Sequence, residues 1–347
     1  MSPRWALPGR YLSYFGFSKS PICSLLEYIM KKSVKKFLLK RLKLLLALVV
    51  LLSLTGYLGA VHWTFELTSH FKVHYFALSL LSAIVFILVR QWGWASLGLL
   101  GIILNGIVVL SWYFPTTETV VKNPQLKLLL SNVNIQNKNY SALIQLVTTE
   151  LPDILIIQEG NAGWIKQLKV LEKTFPYQIA PPKSYIFGTI IFSRFRFEQT
   201  QVLSLGSQVR ETILIKIKFN GQNVSLLTTH PFPPIPQHNF DRRNRQLFAV
   251  KSVIEQLPTP KILIGDLNIT MWSPIYSKLL SDTGLVNARQ GFGILPTWPT
   301  FLPFLMLPID HCLISSDIKV VNIRTGKRIG SDHLPLIVEL AIFRPKL

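Results

Sequence analysis

The stretch PDILIIQE, residues 152–159, reads as a buried strand that ends on an acid. Pro152 stops whatever precedes it, and four apolar residues follow without polar alternation. A short apolar run bounded by a breaker suits a strand covered on both faces. Upstream, LKLLLSNVN (126–134) is a second such strand, and YSALIQLVTTEL (140–151) shows helical spacing up to the proline. Downstream, YIFGTIIFS (185–193), ETILIKIKF (211–219) and NVSLLTTH (223–230) predict strands, and NRQLFAVKSVIEQL (244–257) predicts an amphipathic helix. KILIGD (261–266), IDHCLIS (309–315) and LPLIVEL (334–340) complete the set. Several neighbouring strands have no helix between them. That excludes a simple alternating parallel fold and predicts a layered α/β sandwich with helices outside.

Polar residues sit where these strands end. Asn132 closes the first, Glu159 the second, and His230 follows TT in the fifth. Asp266 and Asn268 close ILIGDLN, Asp310 opens IDHCLI, and Asp332 and His333 stand before the last strand in GSDHLPLIVEL. Any one of them is an ordinary strand end, since Asp, Asn and Ser favour turns. Together they place acids, amides and imidazoles where converging strand ends would share one basin. A hard cation such as Mg²⁺ takes carboxylate oxygens, water and substrate phosphate. Phosphodiester hydrolysis needs an activated water and relief of charge on the phosphoryl oxygens. Zinc is disfavoured because Cys23 and Cys312 lie in different regions and residues 122–347 hold no closely spaced His pair. A Ser–His–Asp hydrolase would want a Gly-x-Ser-x-Gly elbow, and the sequence has none.

The N-terminal third differs in kind. Residues 44–61, 73–89 and 91–114 carry no charge and are long enough, at about 17–25 residues, for three transmembrane helices. The second and third are separated only around Arg90, which requires a tight hairpin. Basic residues crowd residues 1–43, while the loop 62–72 holds only Lys72 and Glu66. This asymmetry predicts a cytoplasmic N-terminus, with everything beyond Pro115 on the outer side. The division expected is a basic cytoplasmic segment (1–43), the transmembrane helices (44–114), a linker (115–125) and a globular domain (126–347). Residues 1–29 carry no legible role, and Met30 is an alternative start. Net charge is +20, and residues 122–347 hold 25 Lys and Arg against 14 Asp and Glu. Such a balance suits an anionic partner.

In order, LLSNV, PDILIIQE, GTIIFSR, TTHP, GDLN, IDH and GSDHLP resemble the endonuclease/exonuclease/phosphatase superfamily over residues 126–341. HPFPP, RRNRQL, GDLNITMWSPIY and TWP further resemble its bacterial membrane-anchored subgroup. The resemblance implies a four-layer α-β-β-α sandwich and a divalent-metal phosphoesterase, with Mg²⁺ as cofactor and Mn²⁺ as a substitute. It implies that Glu159 binds the metal with Asn132 beside it, that Asp266 orients and activates water, and that Asn268 fixes water and phosphate. His333, paired with Asp310, would contact the phosphoryl group. Asp332 would support the metal or His333, and His230 would donate to a non-bridging oxygen. Asn134 and Asn137 compete with Asn132 for its role, His311 reads as structural, and Tyr185 is a candidate phosphate-binding tyrosine.

Two stretches bear on substrate. Arg242, Arg243 and Arg245 in DRRNRQL fit either a phosphate clamp at a helix start or a solvated helix turn. The apolar loop GFGILPTWPTFLPFLMLP (291–308) either buries against the core or dips Trp298, Phe301, Phe304 and Leu305 into a bilayer interface. The expectation is therefore a membrane-tethered phosphoesterase of the bacterial plasma membrane, its domain facing outward. Nucleic acid is favoured as substrate on charge, with a lipid or inositol-phosphate headgroup as the alternative. The rival class is a non-catalytic binding module, which would lack the acids that this sequence retains.

Overall fold

The computed structural model describes residues 21–114, 126–182, 188–206 and 210–342, with side chains from Lys31 onward. The expected linker 115–125, residues 1–20 and Tyr185 lie outside the described residues. In chain order the helices are α1 (Pro21–Thr55), α2 (Trp63–Ser69), α3 (Lys72–Leu88), α4 (Trp92–Leu110), α5 (Tyr140–Glu150), α6 (Ala162–Gln167), α7 (Gln237–Gln256) and α8 (Pro274–Thr283). The strands are β1 (Leu126–Asn132), β2 (Ile154–Gly160), β3 (Tyr177–Ile179), β4 (Gly188–Ser193), β5 (Phe197–Leu203) and β6 (Thr212–Phe219). They continue as β7 (Gln222–Thr228), β8 (Lys261–Asp266), β9 (Val286–Asn287), β10 (Asp310–Ile314), β11 (Ile318–Thr325) and β12 (Leu336–Ile342).

Two six-stranded sheets form, in the orders β11-β12-β1-β2-β4-β3 and β5-β6-β7-β8-β10-β9. Each is mixed: β1 pairs parallel with β2 and antiparallel with β12, while β8 pairs parallel with β7 and antiparallel with β10. Period-two alternation explains the layering. Leu128, Leu130, Ile154, Ile156, Ile262 and Ile264 point into the core between the sheets. Leu129, Leu155 and Ile157 point outward against α5 and α6, and Leu263 points outward against α7 and α8. The central strands are thus apolar on both faces, as PDILIIQE implies, and the four-layer sandwich expected from the resemblance is the fold observed. Helix α5 is capped by the Asn139 side chain and ends at Leu151, in the left-handed region (φ 50°) just before Pro152.

The N-terminal helices pack together at one end of the sandwich. Among the described residues, one helix, Trp92–Tyr113, is long and apolar enough to cross a bilayer. Lys31–Leu58 reaches that standard together with Trp63–Ser69, across a 118° bend, and Lys72–Leu88 is apolar but shorter. Helices α3 and α4 meet at small residues: a Cβ on Gly101 would lie 2.3 Å from the Ser79 hydroxyl, so only glycine fits there. Their connection at Arg90–Gln91 is as tight as expected. The loop 62–72 is not a plain connection. It folds as α2, and the ends of α2 and α4 dock on the sandwich: Val109 joins the core outside β8, and the Trp272 indole N–H donates to the Val108 carbonyl at 3.1 Å.

Candidate active site

The site forms where strand ends from both sheets meet. Asp266 ends β8 and Asp310 begins β10; antiparallel pairing sets the two residues opposite one another. Asn132 ends β1, and Glu159 lies one strand over, inside the irregularity between Ile157 and Gly160 of β2. Glu159 has φ 59°, a left-handed conformation that a non-glycine residue holds only where its surroundings impose it. The kink turns its carboxylate toward Asn132.

Distances bring the groups together. Asn132 Nδ2 donates to Glu159 Oε1 at 3.0 Å and to Asp266 Oδ2 at 3.1 Å. His230 Nε2 lies 3.3 Å from Asp266 Oδ2 and 3.7 Å from Glu159 Oε1. His333 Nε2 is 3.7 Å from the same Asp266 oxygen, and its Nδ1 is 2.8 Å from Asp310 Oδ2. Asp266 also accepts the Asn268 backbone N–H at 2.9 Å. Asn268 Nδ2 donates to the Pro231 carbonyl at 3.0 Å, which ties the β8 loop to the segment after His230. Ser331 stitches the last turn in place, donating to the Asn132 carbonyl at 2.8 Å and accepting from His333 N–H at 3.1 Å.

Two features of the inner sheet faces hold Asp266 still. The buried Gln158 side chain accepts the Asp266 N–H at 2.8 Å and donates to the Thr229 carbonyl at 2.9 Å, bridging the sheets. At Gly265 a Cβ would sit 2.1 Å from that carbonyl oxygen, so the backbones approach this closely only without a side chain.

The charges are arranged as alternating signs. Burial alone would lower the His333 pKa, but the facing Asp310 carboxylate, then Asp266, outweighs it and pushes it up to about 10. Burial alone would raise the Asp266 carboxyl; His333 and then His230 outweigh it and hold it below the usual range. His311 behaves oppositely. Burial, then Arg289, lowers it to about 3, so its neutral ring donates to the Ile269 carbonyl at 2.7 Å and faces Arg289 at 3.3 Å. It is structural, as expected.

The donor set suits a hard cation. Asp266, Asp310 and His333 present atoms within 4.8 Å of one another, but His333 is committed to Asp310 and cationic, which sets it against a metal. The oxygens that suit Mg²⁺ are those of Glu159 and Asp266. Two sequence expectations change here. Asn132 turns its amide nitrogen, not its oxygen, to the carboxylates, and its Oδ1 accepts from Asn134 N–H, so it acts as a donor between the acids. Asp332 is engaged at both oxygens, by Asn134 Nδ2 (2.8 Å) and by the Trp298 indole (3.0 Å), and forms the outer wall.

The arginines separate. The helix begins at Gln237, seven residues before the expected start, so Arg242, Arg243 and Arg245 stand beyond its first turn, away from the free N–H groups. Arg243 is fully buried and paired with Glu66 of α2, which removes it from any phosphate clamp. Arg245 lines a groove between α7 and α8 with Phe248, Lys251 and Lys278. Arg242 alone is at the rim, its guanidinium over the Phe232 ring. Arg210 was not legible: it lies 2.9 Å from His230 Nε2 and 4.6 Å above Phe232. Its only signal is position, one residue ahead of an alternating strand.

The family described as Endonuclease/Exonuclease/phosphatase matches residues 129–333. Comparison with curated protein sequences finds no match. Among solved structures, D. rerio TDP2 complexed with single strand DNA product is 18% identical, with a TM-score of 0.53 over 62% of this chain and 98% of that one. A Bacteroides thetaiotaomicron mannosyl-6-phosphatase is 20% identical, with a TM-score of 0.50 over 62% and 100% of the two chains. An endonuclease/exonuclease/phosphatase from Beutenbergia cavernae is 16% identical, with a TM-score of 0.50 over 63% and 72%. By family match, fold and site, this chain belongs to the endonuclease/exonuclease/phosphatase family and is a hydrolase of phosphoester bonds.

Proposed function

We propose that the protein is a divalent-cation-dependent phosphodiesterase tethered by its apolar N-terminal helices to the bacterial plasma membrane, with its site on the outer side. The observation that carries the chemistry is the shared contact of Glu159, Asp266 and His333 around the Asn132 amide, with His230 3.3 Å from Asp266. Glu159 and Asp266 would hold Mg²⁺, or Mn²⁺ in its place. A bound cation would lower the pKa of water and relieve charge on the phosphoryl oxygens. Asp266, ionised at neutral pH, orients the attacking water in line with the leaving oxygen, and Asn268 fixes its loop. His333, held as imidazolium by Asp310, donates to a non-bridging oxygen, while His230 Nε2 accepts from the Arg210 guanidinium at 2.9 Å and brings that cation to the site.

For the substrate, a lipid phosphoester headgroup now has an observation of its own. The loop after Trp298 runs from the site wall to the N-terminal helices: Thr300 N–H donates to the Asp332 carbonyl, and the Phe304 carbonyl lies 2.8 Å from the His74 ring nitrogen in α3. Between these anchors Phe301 is 65% and Phe304 73% exposed, with Leu305 beside them. Aromatic side chains exposed at the end of an apolar helix suit a bilayer interface. The nuclease reading loses Arg243 from its basic patch and rests on overall charge. The test offers phospholipid vesicles, plasmid DNA and RNA side by side to the full-length enzyme with Mg²⁺. Turnover of vesicles with nucleic acid left intact supports the lipid reading, and cleavage of nucleic acid alone overturns it. A reporter fused after Leu347 that works only in the cytoplasm would contradict the outward orientation.

A further inference from the structure

The segment from Asn268 to Ser273 carries one active-site residue and is gripped along its length by the N-terminal helices. Glu66 of α2 and Arg243 of α7 are both completely buried, with Glu66 Oε2 2.5 Å from Arg243 Nη2. Arg243 Nη1 donates to the Asn268 carbonyl at 3.2 Å, and its Nε donates to Asn244 Oδ1 at 2.9 Å. The other Glu66 oxygen accepts from the Ser273 hydroxyl at 2.7 Å, and Ser273 in turn caps the first turn of α8. One carboxylate thus fixes both ends of the segment. Its middle is held by His70, whose Nδ1 lies 2.9 Å from the Thr270 hydroxyl.

A buried ion pair is a poor device for stability, because apolar residues of similar volume do as well or better. It is a good device for geometry. The guanidinium presents its donors in a rigid fork, so fixing one arm on Glu66 aims the other at the Asn268 carbonyl. Asn268 needs that hold: it sits at φ 51°, left-handed for a residue with a side chain. From this position its N–H reaches Asp266 and its side chain reaches Pro231.

We propose that α2 belongs to the catalytic apparatus: Glu66 orients Arg243, Arg243 orients Asn268, and both are positioning residues for the site. This rests on the phosphoesterase reading for its kinetic consequence but not for its structural one. It also means that the globular domain and the N-terminal helices form one functional unit.

The test uses the full chain with Mg²⁺ and bis-p-nitrophenyl phosphate, and compares wild type, Glu66→Gln, and the double variant Glu66→Leu with Arg243→Leu. The double variant removes both buried charges together and leaves no lone buried charge, so it is expected to fold. Its kcat is expected to fall roughly ten- to a hundredfold with KM within about twofold, as for a displaced catalytic group. Glu66→Gln keeps the shape and loses the charge, and is expected to lose several-fold in kcat. Amide exchange over residues 267–273 should speed up in both variants whether or not the substrate is turned over. A folded double variant with wild-type kcat overturns the proposal. If the double variant does not fold, unchanged kcat and unchanged exchange in Glu66→Gln overturn it instead. An inactive wild type with faster exchange in the variants would count against the phosphoesterase reading alone.

Discussion

Replacing Asp310 with Asn should weaken the fold in a pH-dependent way whose sign the geometry fixes. Asp310 Oδ2 sits 2.8 Å from His333 Nδ1, and both side chains are almost completely buried. With His333 raised from 6.5 to about 10, the protonated ring contributes stability that is fully present below about pH 6.5 and is lost as pH rises through 10. At about 1.4 kcal/mol per pH unit the whole shift corresponds to roughly 5 kcal/mol. Asp310 shares it with Asp266, so about half, on the order of 2–3 kcal/mol, should go with the Asp310 charge. Asn keeps a hydrogen-bond acceptor at the same place, which isolates the charge from the contact. The assay is urea unfolding of chelator-treated full-length protein, followed by tryptophan fluorescence at pH 6, 8 and 10. The expected penalty is largest at pH 6, persists at pH 8 and shrinks toward pH 10. A penalty that is flat across this range, or grows with pH, would show that Asp310 does not hold His333 protonated.

Three other outcomes follow from single contacts. Gly265→Ala places a methyl 2.1 Å from a backbone carbonyl that cannot rotate away. It should cost about 1–3 kcal/mol or more and reduce activity by moving Asp266, as read by thermal melts and kcat. Ser331→Ala removes the hydroxyl that joins the Asn132 carbonyl to His333 N–H. It should cost about 1–3 kcal/mol for the buried group left unpaired, and kcat should fall more than KM changes. Phe301→Ser with Phe304→Ser, both exposed, should reduce hydrolysis of vesicle lipid about tenfold while leaving bis-p-nitrophenyl phosphate turnover unchanged; equal effects on both substrates would remove the interfacial role.

The parts of the fold legible in the sequence are those where burial is two-sided. PDILIIQE and KILIGD announce central strands because nothing but apolar residues can sit there, and the acid that ends each run is conspicuous by contrast. Strands with a solvated face were not legible. FEQTQVL in β5 and IKVVNIRT in β11 are mostly exposed or half-buried, and their polar residues read as loop. Helix α7 starts early because QHNFDRR carries little apolar periodicity, and its register is set by packing of Phe240 and Leu247. Within the site, residue types and strand-end positions foretold Glu159, Asp266, Asp310, His230 and His333. They did not foretell orientation: the Asn132 amide faces the acids with its nitrogen, and Arg243 turns inward. The partner of Arg243 was invisible because Glu66 is a lone acid in a short loop, 177 residues away. Only the docking of α2 brings them together.

The most direct measurement is hydrolysis of bis-p-nitrophenyl phosphate by the full-length protein, with Mg²⁺ and with EDTA, in wild type, Asp266→Asn and His333→Ala. Turnover that appears with Mg²⁺, vanishes with EDTA and falls at least about a hundredfold in either variant is the predicted result, with both variants melting as folded proteins. Turnover that survives EDTA, or folded variants as fast as wild type, would contradict a hydrolytic centre built on these side chains.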